Sequence, residues 1–282
     1  MDIRTIEKSK KTGYMFYITY DGTKFQAFDE MKDKTTVKGT FRNIMEELGF
    51  SWAKGIQQAG RTDAKVSANE NILYVSSNFM GNIEKIKDKF NENSANMKIT
   101  MVKKTFPNLA FPELIAGREY IYRYPQKKIK RTEEEIVKIC EDLSGKYDVS
   151  EFTDKKGLEL KEHVREVEIS YKNGKLFFAG DSFMPKQVRI MSGYILTGEK
   201  VPLEGKYLTL NKIKLSTELQ NMIFEDVDNV DIQGVERVEK TSDGALNIFY
   251  VEKSKKGEVI GKNGKNIKAL KKIYGNIVVR EL

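Results

Sequence analysis

Three residues of this chain have types and settings that could do chemistry. Asp63 sits in the segment Gly60 to Ala64 (GRTDA), which is too polar for a core and lies between a helical pattern and a strand pattern, where loops present functional groups on a rigid frame. A carboxylate there can act as a covalent nucleophile or stabilise a developing cation; read alone, it is a turn former or a cap. In Arg118 to Tyr122 (REYIY), Tyr120 and Tyr122 stand two apart and share one face of a strand with Arg118. Aromatic rings so placed can hold a flat base by stacking, which makes no directional demand. A pair of core tyrosines reads the same way, and for Tyr122 that plainer reading is preferred. Arg118 on the same face is a candidate for a phosphate contact. Arg189 closes the segment Phe183 to Arg189 (FMPKQVR) and lies in an apolar helical stretch with Met184, Val188, Met191 and Ile195. A charge in that setting needs a partner, although periodicity alone equally allows an arginine on the helix's outer side. Pairing with Asp63 would favour the ionised carboxylate that a nucleophile requires.

The composition narrows the partner. Among 282 residues, 49 Lys plus Arg against 41 acids give a formal charge of +8, a balance that attracts polyanions and favours nucleic acid, although Lys-rich usage alone would also serve solubility. A single cysteine, Cys140, excludes an intramolecular disulfide and a thiolate metal cage, and the lone His163 leaves few soft ligands. No metal or cofactor is expected. No run approaches the roughly 18 apolar residues of a membrane span, and the opening MDIRTIEKSKK has no apolar segment of a secretory signal, so a soluble cytoplasmic protein is expected.

The elements that would position these residues follow from patterning. Tyr14 to Tyr20 reads as a buried strand closed by the Asp21-Gly22 turn. Val37, Phe41, Ile44, Met45 and Leu48 make one apolar helix face that Gly49 stops. Strands are expected at Ile72 to Ser76, Ile99 to Lys103 and Glu119 to Tyr124, with helices at Ile83 to Phe90, Glu133 to Leu143 and Pro185 to Leu196. Val164 to Tyr171 and Leu176 to Ala179 flank Asn173-Gly174, a strong hairpin signal. Because β and α patterns mix without regular alternation, the expected class is α+β, a mostly antiparallel mixed sheet with helices packed on it. This part spans residues 1–212.

Residues 213–282 read as a small module of their own: a polar helix-like stretch from Leu215 to Phe224, strands at Gly234 to Lys240 and Leu246 to Val251 joined at Asp243-Gly244, a glycine and lysine segment, a helix, and a strand from Asn276 to Arg280. Within it, Gly261-Lys262-Asn263-Gly264 opens a helical pattern. Glycines let backbone approach phosphates, and a helix N-terminus offers amide donors. Eight lysines and one acid, Glu258, lie between Lys253 and Lys272. A Walker A reading fails, since the glycine spacing is wrong and no Ser or Thr follows Gly264-Lys265. A solvated Lys-rich turn is the plain alternative.

Together with Tyr20 to Thr23 (YDGT), the ordered motifs GRTDA, REYIY and FMPKQVR resemble the TruA family of tRNA pseudouridine synthases, and Gly261 to Gly264 resembles the GxxG loop of a type II KH domain. The first resemblance implies a pseudouridine synthase fold and an enzyme that isomerises uridine in tRNA, in the anticodon stem-loop, without cofactor. It implies that Asp63 is the catalytic aspartate, that Tyr120 stacks on the uracil and helps remove its carbon 5 proton, that Arg189 faces Asp63, and that Arg61 helps extrude the target nucleotide. Lys65 beside them, Arg118 and Gly261, Lys262, Asn263 and Gly264 are the remaining candidates for RNA contact. The resemblance implies a homodimer, whereas an added RNA-binding module would make a monomer sufficient. The chain departs from the family at Lys65 and Ser67, where Gly and His are usual, at Ala27-Phe28-Asp29 in place of G-F-Q, and in a shortened segment after the Arg189 helix. A non-catalytic RNA-binding protein that keeps the fold is the alternative function.

Overall fold

The computed structural model describes residue 6 and residues 9–228 and 230–282. The aromatic and β-branched run becomes strand β1 (Thr12–Tyr20), buried on both faces. Helix α1 (Val37–Glu47) begins where the Thr36 hydroxyl accepts a hydrogen bond from the Gly39 amide, and it buries Val37, Phe41 and Met45 on one stripe. β2 (Gln57–Gln58) and β3 (Ser67–Ser77) follow, then α2 (Ile83–Asn93), capped by Asn82, and β4 (Met97–Thr105). β5 (Ile115–Tyr122) precedes α3 (Glu133–Asp142), which a reciprocal Thr132 and Glu135 capping box starts. Next come β6 (Gly145–Asp148), the short α4 (Lys155–Leu158), and the hairpin of β7 (Val164–Lys172) and β8 (Lys175–Gly180), whose turn places Asn173 and Gly174 in the left-handed region. α5 (Gln187–Thr197) carries Arg189, and β9 (Leu208–Leu215) returns to the sheet.

The later segment adds α6 (Thr217–Asn221), β10 (Phe224–Val227), β11 (Arg237–Thr241), β12 (Leu246–Val251), α7 (Lys256–Ile260), α8 (Lys265–Tyr274) and β13 (Asn276–Glu281). Among the described residues, thirteen strands form one sheet in the order β13-β12-β11-β10-β4-β1-β3-β9-β5-β8-β7-β6, with β2 beside β3. Its pairings are antiparallel except β3 with β9 and β12 with β13, so the α+β expectation holds. Phe16, Phe41, Phe50 and Phe90 fill the core beneath α1 and α2.

Several boundaries differ from the sequence expectation, three of them instructively. The stretch Leu215 to Phe224 is not one helix: Ser216 caps a single turn and a half, and Phe224 leaves it to pair with Thr241 and Lys104 and to pack on Phe106 at 5.3 Å. Tertiary pairing overrides the local helical preference there. β5 ends at Tyr122, three residues before Pro125. β11 starts at Arg237 because Gly234, at φ 79°, sits in a turn that the Val235 amide closes onto the Ile232 carbonyl.

The two segments meet closely. Ile6, Phe106, Phe224, Leu246, Ile248, Tyr250 and Val278 form one apolar cluster. Beside it the Glu239 carboxylate, 2% exposed, accepts from Lys104 Nζ at 2.5 Å and from the Tyr250 hydroxyl at 2.7 Å, and pairs with Arg237 at 3.3 Å. Removing water from a carboxylate is costly, and three donors offset that cost. Arg280 on β13 donates to Thr12 Oγ1 at 2.8 Å and to the Lys11 carbonyl at 3.1 Å, which ties the far edge of the sheet to the start of β1.

Candidate active site and RNA-binding loop

The GRTDA loop is fixed by its backbone before any side chain acts. Asn71 on β3 is fully buried; its amide oxygen accepts from the Gly60 N–H at 3.2 Å and its amide nitrogen donates to the Gly60 carbonyl at 2.8 Å. One side chain so satisfies both polar groups of Gly60. The Tyr20 and Thr62 hydroxyls share a hydrogen bond of 2.8 Å. The Val66 amide closes a tight turn onto the Asp63 carbonyl at 3.2 Å, with Lys65 at φ 66° inside it. That backbone is where glycine is at ease, which accounts for the family's usual residue at this point.

The other motifs pack on this loop. A Cβ on Gly22 of YDGT would stand 2.0 Å from the Val66 carbonyl oxygen, so only glycine allows the approach, and the Gly22 amide donates to Ser67 Oγ at 3.0 Å. Ser67 therefore has a structural partner here. Gly205 likewise comes against the Ala64 carbonyl, where an added Cβ would stand at 2.6 Å.

Arg189 reaches the loop from α5. Its neighbours Val188, Ile190, Met191 and Ile195 are buried, and its own side chain is 16% exposed. It donates from Nη1 to Asp63 Oδ2 at 2.8 Å and from Nε to the Leu203 carbonyl at 2.6 Å. The second bond aims the first, since the planar guanidinium cannot turn away from both acceptors. Asp63 keeps a side chain 36% exposed, so the carboxylate is both paired and reachable.

Tyr120 on β5 is buried against Phe183 of FMPKQVR, edge to face with ring centroids 5.3 Å apart. Burial pushes its phenol well above the ordinary range, the Arg118 charge opposes this, and Tyr20 and Asp63 add to it. Tyr122 is fully buried and donates to the Glu204 carbonyl at 2.9 Å, the core role preferred from its sequence.

Arg118 has partners inside the protein that its sequence did not show, donating from Nε to the Ala59 carbonyl at 2.9 Å and from Nη1 to the Asp181 carbonyl at 2.6 Å. It thereby joins the start of GRTDA to β5. The shared-face argument missed this because it compared side chains along one strand and not the loop facing that strand. Arg61 and Lys65 are exposed. Arg61 forms an ion pair with Asp29, which Lys38 also holds at 2.8 Å. Burial pushes the Asp29 carboxyl up, but the bonds and charges of Lys38 and then Arg61 together hold it below the usual carboxylate value. Asn71 and the Leu203 carbonyl carried no signal in the sequence, whereas Asp29 lay in a segment marked only as a departure from the family and Phe183 inside a motif already singled out.

The second candidate site lies apart from the first. Gly261, Asn263 and Gly264 take positive φ values of 74°, 54° and 71°, and a Cβ on Gly261 would stand 2.6 Å from Asn266 Cγ. The Asn266 amide in turn donates to the Glu258 carbonyl at 2.9 Å, which fixes the loop against α7. No side chain caps α8 at Gly264; the Gly264 and Lys265 amides donate back to the Gly261 and Lys262 carbonyls, and the exposed Lys262 and Lys265 flank the loop.

Comparison with known proteins agrees with both halves of this picture. Residues 218–280 match the family model described as the KH domain. The tRNA pseudouridine synthase A of Picrophilus torridus is 27% identical over 192 residues, 67% of this chain and 72% of the relative, and that of Levilactobacillus brevis is 25% identical over 65% of this chain and 78% of the relative. The chain resembles tRNA pseudouridine synthase A and carries a KH domain. A solved chain from a Cbf5-Nop10-Gar1 complex aligns at a TM-score of 0.35 and 12% identity, over 76% of this chain and 51% of that one, so this chain spans about half of its length. No described helix is long and apolar enough to cross a membrane.

Proposed function

We propose that this chain is a cofactor-independent tRNA pseudouridine synthase of the cytoplasm, with residues 1–212 as its catalytic domain and 213–282 as an RNA-binding domain. The observation that carries the proposal is the Asp63–Arg189 ion pair, in which two motifs 126 residues apart meet in a reachable, backbone-clamped loop. In this reading the Asp63 carboxylate attacks the target uridine, the bond between N1 and the ribose breaks, the uracil turns, carbon 5 bonds to the ribose carbon, and the bond to Asp63 breaks to return the free carboxylate. Carbon 5 loses a proton and N1 gains one, so nothing is consumed. Arg189 keeps the carboxylate aimed. Tyr120 stacks on the detached base; its raised phenol pKa suits that role better than that of a resting base. Arg61 exchanges Asp29 for the extruded strand, and Lys65 adds a phosphate contact. The TruA resemblance supports a target in the anticodon stem-loop.

The test is incubation of the protein and its Asp63→Ala variant with unmodified tRNA transcripts, with pseudouridine mapped by carbodiimide labelling and primer extension. The expected result is a stop at a defined uridine that disappears in the variant. Binding of RNA with no product on any transcript would move the assignment to a non-catalytic RNA-binding protein.

A further inference from the structure

We infer that the KH domain acts as a fixed ruler, not a tethered grip: the protein selects RNAs that present a single-stranded stretch at one set offset from the target uridine. The inference rests on the proposed function and deepens it by naming the substrate class. Most of its support lies at the junction. β10 pairs with β4 on one side and β11 on the other, so the sheet of the KH segment continues that of the catalytic segment. The apolar cluster of Phe106, Phe224, Tyr250 and Val278 draws side chains from both. Glu239 is buried between Lys104 of β4 and Tyr250 of β12, and Arg280 of β13 grips Thr12 and Lys11. Four ties of different chemistry leave no hinge, because a swing of the KH segment would take Lys104 away from the buried Glu239 carboxylate and open the apolar cluster.

A rigid junction has a consequence for binding. RNA contacts at the GxxG loop and at Asp63 reinforce each other only when the RNA's own geometry matches their spacing, and the effective concentration of the second contact falls away when the spacing varies. Arg280, Glu239 and Thr12 touch no RNA in this scheme. They are positioning residues.

The experiment is a double-mutant cycle on wild-type protein with intact tRNA transcripts, reading kcat, KM and equilibrium RNA affinity. One arm loosens the junction by Arg280→Ala together with Lys104→Met, which breaks both polar ties, with Thr12→Val together with Lys104→Met as the milder second variant that keeps a β-branched residue in β1. The other arm impairs the loop by Lys262→Asp with Asn263→Asp. Each arm alone should raise KM about tenfold, the junction arm with kcat unchanged at saturating RNA, and the combination should cost little more than either arm. A short stem-loop carrying only the target uridine should not register the junction variants at all. Independent, multiplying effects of the two arms, or junction variants that fold and leave KM untouched, would overturn the ruler. A non-additive cycle in affinity without product would sink the catalytic reading and leave the ruler standing; product with an additive cycle would do the reverse.

Discussion

The two ends of this protein use their polar side chains in opposite ways. Around Asp63, they are spent inward: Asn71 satisfies both groups of Gly60, Arg118 ties Ala59 to Asp181, and Arg189 is shared between Leu203 and the carboxylate. At Gly261 to Gly264 they are left outward, with Lys262 and Lys265 exposed beside the loop. Chemistry on one atom calls for a site that cannot shift, whereas a grip on a variable, charged backbone needs donors that are not yet committed. The same contrast separates what each end contributes to stability from what it contributes to affinity.

The sharpest way to break the contrast is Arg189→Leu. It strands the Asp63 carboxylate and frees the Leu203 carbonyl, so product formation should fall at least about a hundredfold and unfolding should need about 1–3 kcal/mol less. Turnover assays and denaturant melts read the two together. Asn71→Ala comes next: it leaves the buried Gly60 groups unmatched, with a loss of about 2–3 kcal/mol in thermal or denaturant melts and weaker turnover, while RNA affinity through the KH loop is retained. Alkaline pH should find the same region. Burial pushes Tyr20 up to about 12, against hydrogen bonds from Thr62 and Asn71 that lower it. A folded-state pKa raised above the unfolded 10 contributes stability that is complete below pH 10 and lost as pH climbs toward 12, on the order of 2–3 kcal/mol. Alkaline melts of wild type against Tyr20→Phe should therefore converge as pH rises.

At the other end, Lys262→Asp with Asn263→Asp should leave the melting point unchanged, since Asp tolerates the left-handed backbone. RNA affinity should fall about tenfold, and the slope of log affinity on log salt should become shallower by about 1. The smallest effect tests the boundary between the two behaviours. Lys65 is an exposed cation kept at φ 66° two residues from Asp63. Lys65→Gly should stabilise the fold by up to about 1 kcal/mol and weaken RNA binding a fewfold, a trade measurable by paired melts and filter binding.

What was legible in the sequence divides along the same line. Strands and helices with a strong period, such as Tyr14 to Tyr20 and Val37 to Leu48, appear where the pattern put them because burial enforces the period. The GxxG loop was readable because glycines mark unusual backbone locally. Asp63 and Arg189 could be proposed as partners only through their motifs, and what aims them was hidden. Asn71 sits in a strand as an ordinary polar residue until Gly60 lies against it. Leu203 contributes a carbonyl, which every residue has. Phe224 reads as the end of a helix until β4 and β11 offer it a sheet position. Arg118 looks free for phosphate until the Ala59 carbonyl meets it. In each case the deciding partner is distant in sequence, and a local pattern does not contain it.

The bond between Arg280 and Thr12 joins residues 268 positions apart. On a ribosome adding about 5–20 residues per second, Thr12 is made roughly 13–54 seconds before its partner exists. The start of β1 must wait through that interval without its cover, and β4 and then β10 join the wait as they are made. Contacts of such long range slow folding, and they leave sheet edges open to the wrong neighbour in the meantime. For this protein the period of greatest exposure to misassembly and to chaperones falls late in synthesis, when the part that carries Asp63 has already emerged and its seam is still unsealed.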